Sequence, residues 1–174
     1  MDVNAFGGKT YVQTGKWVWK DNHQYWQEAD GAYARNKEIY DASTDAWYWI
    51  DADGSMAQNK DVYLRSNGGK WVYYDEVTGK MVYEEKYLNA DETSVGWYYF
   101  DPVTGKRVTG DVYLKSNGGK WVRYDENGKM VKGLQYRDKS WHYFDSTTGA
   151  MAYGRTWVPQ WDAWHYFDTG TGRG

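Results

Sequence analysis

Bulky and polar positions alternate along this chain in short bursts with a period of two. Runs such as Trp47-Tyr48-Trp49-Ile50 and Trp97-Tyr98-Tyr99-Phe100 are followed by an aspartate and a glycine-containing turn. Aromatic and β-branched runs bounded by turn residues are the signature of short strands. Asn67-Gly68 and Asn117-Gly118 each stand between two such runs, a strong local sign of a β-hairpin. The pattern predicts strand, tight turn, strand and a glycine-containing connector, with no substantial helix.

The bursts repeat. Asp61 to Glu76 returns as Asp111 to Glu126 with two differences in sixteen positions, a shift of 50 residues. Within that long unit lies a shorter one, anchored by a Trp with a bulky residue three positions on and an Asp four positions on. The anchors are Trp47, Trp71, Trp97, Trp121, Trp141 and Trp164, spaced 24, 26, 24, 20 and 23 residues apart. Each is preceded by a leading aromatic, at Tyr40, Tyr63, Tyr87, Tyr113, Tyr136 and Trp157. A Met often follows the turn, at Met56, Met81, Met130 and Met151, with Arg107 in the odd unit. A degenerate first unit is read around Trp17 and Gln24-Tyr25-Trp26.

A single hairpin is marginal in water, and stacking hairpins along a solenoid lets each bury a face on its neighbours. The expected fold is therefore all-β, a solenoid of about seven tandem hairpins of roughly 23 residues each. Residues 15–174 form the repeat module, and residues 1–14 are read as a leader or linker.

Strand alternation divides each anchor into two faces. The fourth position (Ile50, Tyr74, Phe100, Tyr124, Phe144, Phe167) is always bulky and reads as core. The third position (Trp49, Tyr73, Tyr99, Arg123, Tyr143, Tyr166) should share a face with the anchor Trp, placing two rings side by side in every unit but that of Arg123. That unit is then one ring short, so Trp121→Ala should cost less binding than Trp97→Ala or Trp141→Ala. The candidate ligand-binding residues are Trp47, Trp49, Tyr63, Trp71, Tyr73, Tyr87, Trp97, Tyr99, Tyr113, Trp121, Tyr136, Trp141, Tyr143, Trp157, Trp164 and Tyr166. Aromatic faces attract quaternary ammonium groups, and flat rings stack on the apolar face of a pyranose.

Composition sharpens this picture. Leu, Ile, Val and Phe together number only 24, whereas Trp and Tyr number 12 and 18, so burial has to be aromatic. A net charge of -3 gives no electrostatic reason to expect nucleic acid or an anionic membrane as partner. No apolar run is long enough for a transmembrane segment. Without cysteine, neither a disulfide nor a thiolate metal site is available.

Catalytic readings are weaker than binding ones. His142 and His165 occupy equivalent positions in successive units and read as strand surface residues, since a catalytic group would be singular. The aspartate after every anchor suggests paired carboxylates, but its recurrence at each turn points to an Asx-type cap on the turn backbone. Asp51-Ala52-Asp53-Gly54 lacks the rest of a calcium loop. No catalytic residue, metal site or cofactor is assigned.

The runs WYYFDPVTG (97–105), WHYFDSTTG (141–149), WHYFDTGTG (164–172) and GKWVYYDEVTGKM (69–81) resemble the cell-wall-binding repeats of Gram-positive bacteria and their phages. That family includes choline-binding repeats, the glucan-binding repeats of glucansucrases and the terminal repeats of large clostridial toxins. The resemblance implies a non-catalytic module of a secreted or cell-surface protein. Its cages would take two aromatics from one hairpin and one from the next, often lined by Met. The implied partner is a cell-wall polysaccharide, a choline-substituted polymer or a glucan. The alternative is an α-glucan- or host-glycan-binding module of a glucansucrase, adhesin or toxin.

Overall fold

The computed structural model describes residues 2–6, 9–12, 14–89 and 92–174. Among them every regular sheet is a two-stranded antiparallel hairpin. The strands are β1 (Asp2–Phe6), β2 (Lys9–Val12), β3 (Lys16–Lys20), β4 (His23–Gln27), β5 (Lys37–Asp41), β6 (Ala46–Ile50), β7 (Lys60–Leu64) and β8 (Lys70–Tyr74). They continue with β9 (Glu84–Leu88), β10 (Gly96–Phe100), β11 (Gly110–Leu114), β12 (Lys120–Tyr124), β13 (Gly133–Arg137), β14 (Ser140–Phe144), β15 (Gly154–Val158) and β16 (Ala163–Phe167). The seven hairpins from β3 to β16 are the repeats read from the sequence, and β1 pairs with β2 within the segment read as a leader. Among the described residues helix is confined to three single 3-10 turns, Ser66–Gly68, Ser116–Gly118 and Pro159–Trp161.

The chain forms two compact units. One runs up to Glu84 and includes Phe100–Lys106, and the other comprises Glu85–Tyr99 and Arg107–Gly174. Each is a stack of hairpins held by the same backbone device. In the first unit, after the turn that follows β8, Met81 donates its N–H to the Trp47 carbonyl of the preceding hairpin, at 2.8 Å. The next residue, Val82, donates to Tyr73 of its own hairpin at 2.9 Å. In the second unit Met151 donates to Trp121 and Ala152 to Tyr143, both at 2.8 Å. The connector is thus a short third strand that uses backbone groups which a lone hairpin would leave to water.

The fourth-position side chains are the core. Ile50, Tyr74, Phe100, Tyr124, Phe144 and Phe167 are all at most 1% exposed. Full burial of such a side chain stabilises by about 1.5–3 kcal/mol, so aromatic repetition replaces the aliphatic core this chain lacks. The recurrent aspartates do cap the turns: Asp75, Asp101, Asp145 and Asp168 each accept two successive backbone N–H groups on Oδ1. Those bonds lower the carboxyl pKa of Asp101, Asp145 and Asp168. Asp51 departs from this pattern and accepts from Lys60 Nζ at 2.7 Å.

Turn chemistry differs from expectation in one respect. The Asn67-Gly68 hairpin does not have a two-residue turn, because Leu64 pairs with Lys70 and the loop spans 65–69. Two-residue turns occur instead at Asp21-Asn22 (φ 50° and 61°) and Asp138-Lys139 (φ 53° and 62°), with both residues in the positive-φ region a type I′ turn requires.

Candidate functional site

The ring pairs that the fold builds run across strands, not along them. Leading aromatic and anchor Trp face each other in six hairpins. Their centroid separations are 5.3 Å for Tyr40–Trp47, 5.4 Å for Tyr63–Trp71, 5.5 Å for Tyr87–Trp97, 5.6 Å for Tyr113–Trp121, 5.0 Å for Tyr136–Trp141 and 5.7 Å for Trp157–Trp164. Interplanar angles of 54° to 69° open each pair into a V. Tyr63, Trp71, Tyr87, Trp97, Tyr113, Trp121, Tyr136, Trp157 and Trp164 are exposed, and Trp47 and Trp141 are half-buried.

The third position is a stacking position, which corrects the side-by-side arrangement expected along the strand. Tyr73 and Tyr143 are only 2% and 8% exposed, and Trp49 and Tyr99 are half-buried. The reason is inter-hairpin packing: each third-position group lies against the fourth-position ring of the next hairpin. Tyr73 stacks on Phe100 at 6.2 Å, Tyr99 lies over Tyr124 at 6.3 Å and Tyr143 over Phe167 at 6.5 Å. Trp49 packs against the buried cluster that contains Tyr74. Burial raises the Tyr73 hydroxyl to about 12. Only Tyr166, in the last hairpin, keeps its third-position ring in solvent, at 62% exposure. His142, expected on a strand surface, is buried as well.

One pair is completed into a three-ring cage. Trp161, in the Pro159–Trp161 turn between β15 and β16, stands 5.3 Å from Trp141 at 86°, while Tyr136 flanks Trp141 at 5.0 Å. Trp141 is thus flanked by one ring of its own hairpin and one of the next. Trp161 falls outside the repeat spacing, so scoring periodic positions passes over it. The signal was its place in a Pro-Gln-Trp-Asp turn, where an indole has no strand partner to pack on.

A second site is the cleft of 320 Å³ at Trp47, lined by Glu38, Ser66, Lys70, Met81 and Tyr83. Tyr83, two residues past Met81, is another ring that the anchor spacing does not mark. Glu38 is half-buried; desolvation raises its pKa, and the Lys70 charge opposes that rise. In the second unit the position equivalent to Tyr83 is Lys132 after Met130 and Tyr153 after Met151. The Trp157–Trp164 pair is different again: the Arg155 guanidinium carbon sits 4.4 Å from the Trp164 ring centroid, so the chain's own cation covers that face.

Tandem hairpins with cross-strand aromatic pairs, one of them joined by a ring of the next hairpin, define an aromatic β-hairpin repeat protein. Residues 114–157 match the family model of the choline-binding repeat. No curated protein sequence matches the chain at a significant level. Among solved structures, choline binding protein F of Streptococcus pneumoniae is similar with a TM-score of 0.68 and 27% identity, over 96% of this chain and 53% of that one. The choline-binding domain of CbpL from the same species is similar with a TM-score of 0.61 and 26% identity, over 94% of this chain and 87% of that one. The pneumococcal cell wall endolysin of phage Cp-1, solved with choline, has a TM-score of 0.52 and 26% identity over 80% and 37% of the two chains. The match to the choline-binding repeat is thus confined to residues 114–157, and the chain as a whole is similar in fold to these choline-binding proteins. It spans about half the length of choline binding protein F.

Proposed function

We propose that this chain is a non-catalytic module that holds a secreted or surface protein on the bacterial envelope by binding a choline-substituted wall polymer in its aromatic cages. The observation that carries the reading is the Tyr136–Trp141–Trp161 cage, with ring centroids 5.0 and 5.3 Å from the central indole. A quaternary ammonium offers no N–H, so it is recognised by ring faces, each contact contributing about 0.5–2 kcal/mol. Structures similar to this chain include choline binding protein F solved with a peptidoglycan analogue and the phage Cp-1 endolysin solved with choline.

The test is a calorimetric titration with choline chloride alongside retention on purified choline-bearing walls. Millimolar or tighter choline binding that falls on Trp161→Ala supports the reading. Full wall retention that choline fails to displace, with soluble α-glucan displacing it instead, overturns it in favour of a glucan-binding module.

A further inference from the structure

One register position of the hairpin repeat stands beside the cross-strand ring pair and changes character along the chain. It lies two residues before the leading aromatic and opposite the third position of the anchor strand. Glu38 holds it opposite Trp49, Leu134 opposite Tyr143 and Arg155 opposite Tyr166. Residues paired across an antiparallel ladder share a face, as do residues two apart on one strand. A side chain at this position therefore neighbours both rings of its own pair. Arg155 shows its reach, with the guanidinium carbon 4.4 Å from the Trp164 ring centroid.

Glu38 brings a carboxylate to that place. It lines the 320 Å³ cleft together with Trp47, Met81 and Tyr83. The residue is half-buried, desolvation disfavours its charged form, and no hydrogen bond reaches its carboxylate among the described residues. Lys70, the other charge lining the cleft, donates from Nζ to the Thr104 carbonyl. The cleft thus offers ring faces, a thioether and an acceptor that lacks a donor. A trimethylammonium group has no N–H to give, and seating it there strips water from the carboxylate without replacing the lost bond. An ammonium that keeps one N–H forms a charge-assisted bond to the carboxylate while its methyl groups lie on the rings. The Tyr136–Trp141–Trp161 cage makes no such demand, because Leu134 holds the equivalent position and packs in the cluster that contains Trp141.

We propose that Glu38 determines the specificity of the Trp47 cleft and makes it a site for protonated amines that retain an N–H, tertiary amines above all, in preference to quaternary ammonium groups. The Trp47 site rests on the module reading above only in that both treat aromatic clefts as cation sites. The same register position tunes each ring pair separately. A carboxylate selects a cation with a donor, Leu134 leaves a site for a quaternary one, and Arg155 supplies a cation from the chain itself.

The experiment is a heteronuclear NMR titration of the full chain at neutral pH, following the Trp47 and Trp161 indole N–H signals. Choline chloride and N,N-dimethylethanolamine hydrochloride, which differ by a single methyl group on nitrogen, are added in separate series. Trp47 should reach half-saturation at an amine concentration about tenfold below that of choline, the equivalent of one net hydrogen bond to a charged group. Trp161 should respond to choline at least as strongly as to the amine. Glu38→Leu, which copies Leu134, should abolish the preference at Trp47 and leave both Trp161 titrations unchanged. Glu38→Gln, closer in shape, should weaken the preference in the same direction. The proposal is overturned if choline matches or exceeds the amine at Trp47, if neither ligand moves Trp47, or if the preference survives intact in both variants. An amine preference at Trp47 with Trp161 silent to choline would remove the cage reading and leave the role of Glu38 standing.

Discussion

The guanidinium carbon of Arg123 lies 5.0 Å from the centroid of the Phe144 ring. Equivalent positions in neighbouring hairpins use a phenol for the same contact, as Tyr73 does on Phe100. Arg123 is therefore a hairpin-stacking group and not a missing platform ring. Asp111 holds it in place through two bonds, from Nε to Oδ1 at 2.6 Å and from Nη2 to Oδ2 at 3.2 Å. In the 50-residue repeat the corresponding pair across the strands is Asp61 and Tyr73.

Asp111→Ala should accordingly destabilise the protein by about 2–3 kcal/mol, because it strands a guanidinium that is 6% exposed. Arg123→Tyr should be far milder, since it restores the pairing already used by Asp61 and Tyr73. Urea unfolding of both variants checks this. An Arg123→Tyr protein as unstable as Asp111→Ala would mean that the cation itself, not the stacking surface, is required.

The cages should be unequal in a way the anchor spacing does not reveal. Trp161→Ala removes the closing ring and should weaken choline binding at its site by about tenfold, near one cation–π contact in a desolvated setting. Trp164→Ala should have little effect, because Arg155 already covers that ring. Trp121→Ala should cost more than Trp97→Ala, the reverse of the order expected from the sequence, since Tyr153 follows one site where Lys132 follows the other. Calorimetry on the four single variants decides it, and equal losses at Trp161 and Trp164 would refute the assignment.

Turn glycines should be intolerant where they sit on a methionine. Gly149 has φ 74°, and a Cβ there would lie 2.5 Å from Met130 Sδ. Gly149→Ala therefore meets both backbone strain and a clash, and should lower stability by about 2 kcal/mol. Gly68 also has positive φ, but nothing lies within 4 Å of its Cβ position, so Gly68→Ala should lose only the backbone part. Thermal melts that rank the two the other way would contradict the packing.

The hairpins, their spacing and the fourth-position core were legible because turn residues and alternation are local signals. Asp145 could be read as a turn cap for the same reason. What escaped was the relation between successive hairpins. Whether Tyr73 faces solvent or Phe100 depends on the offset between stacked hairpins, and no residue in either strand encodes that offset by itself. Trp161 escaped because it belongs to a loop, and its role appears only when the loop meets Trp141 of the preceding hairpin.

His142 supplies a pH test of the same stacking. It is 7% exposed, and its Nδ1 has no hydrogen-bond partner among the described residues. Burial lowers its pKa below 6.5, the Arg123 charge lowers it further and Arg173 adds to this, while the Thr171 backbone and Asp111 oppose the shift. The unfolded chain therefore binds the His142 proton more readily than the folded one. That contribution to stability is complete above about pH 6.5 and is lost as pH falls through the folded-state value. The capping aspartates act in a separate window, since their lowered pKa values make their contribution disappear only below about pH 3.8. Melting temperature should thus fall between about pH 7.5 and pH 5, and His142→Phe, which cannot titrate, should flatten that fall. If the variant shows the same slope as wild type across this range, the proton is taken up elsewhere, and His142 is not the group that couples pH to the packing of β11–β12 on β13–β14.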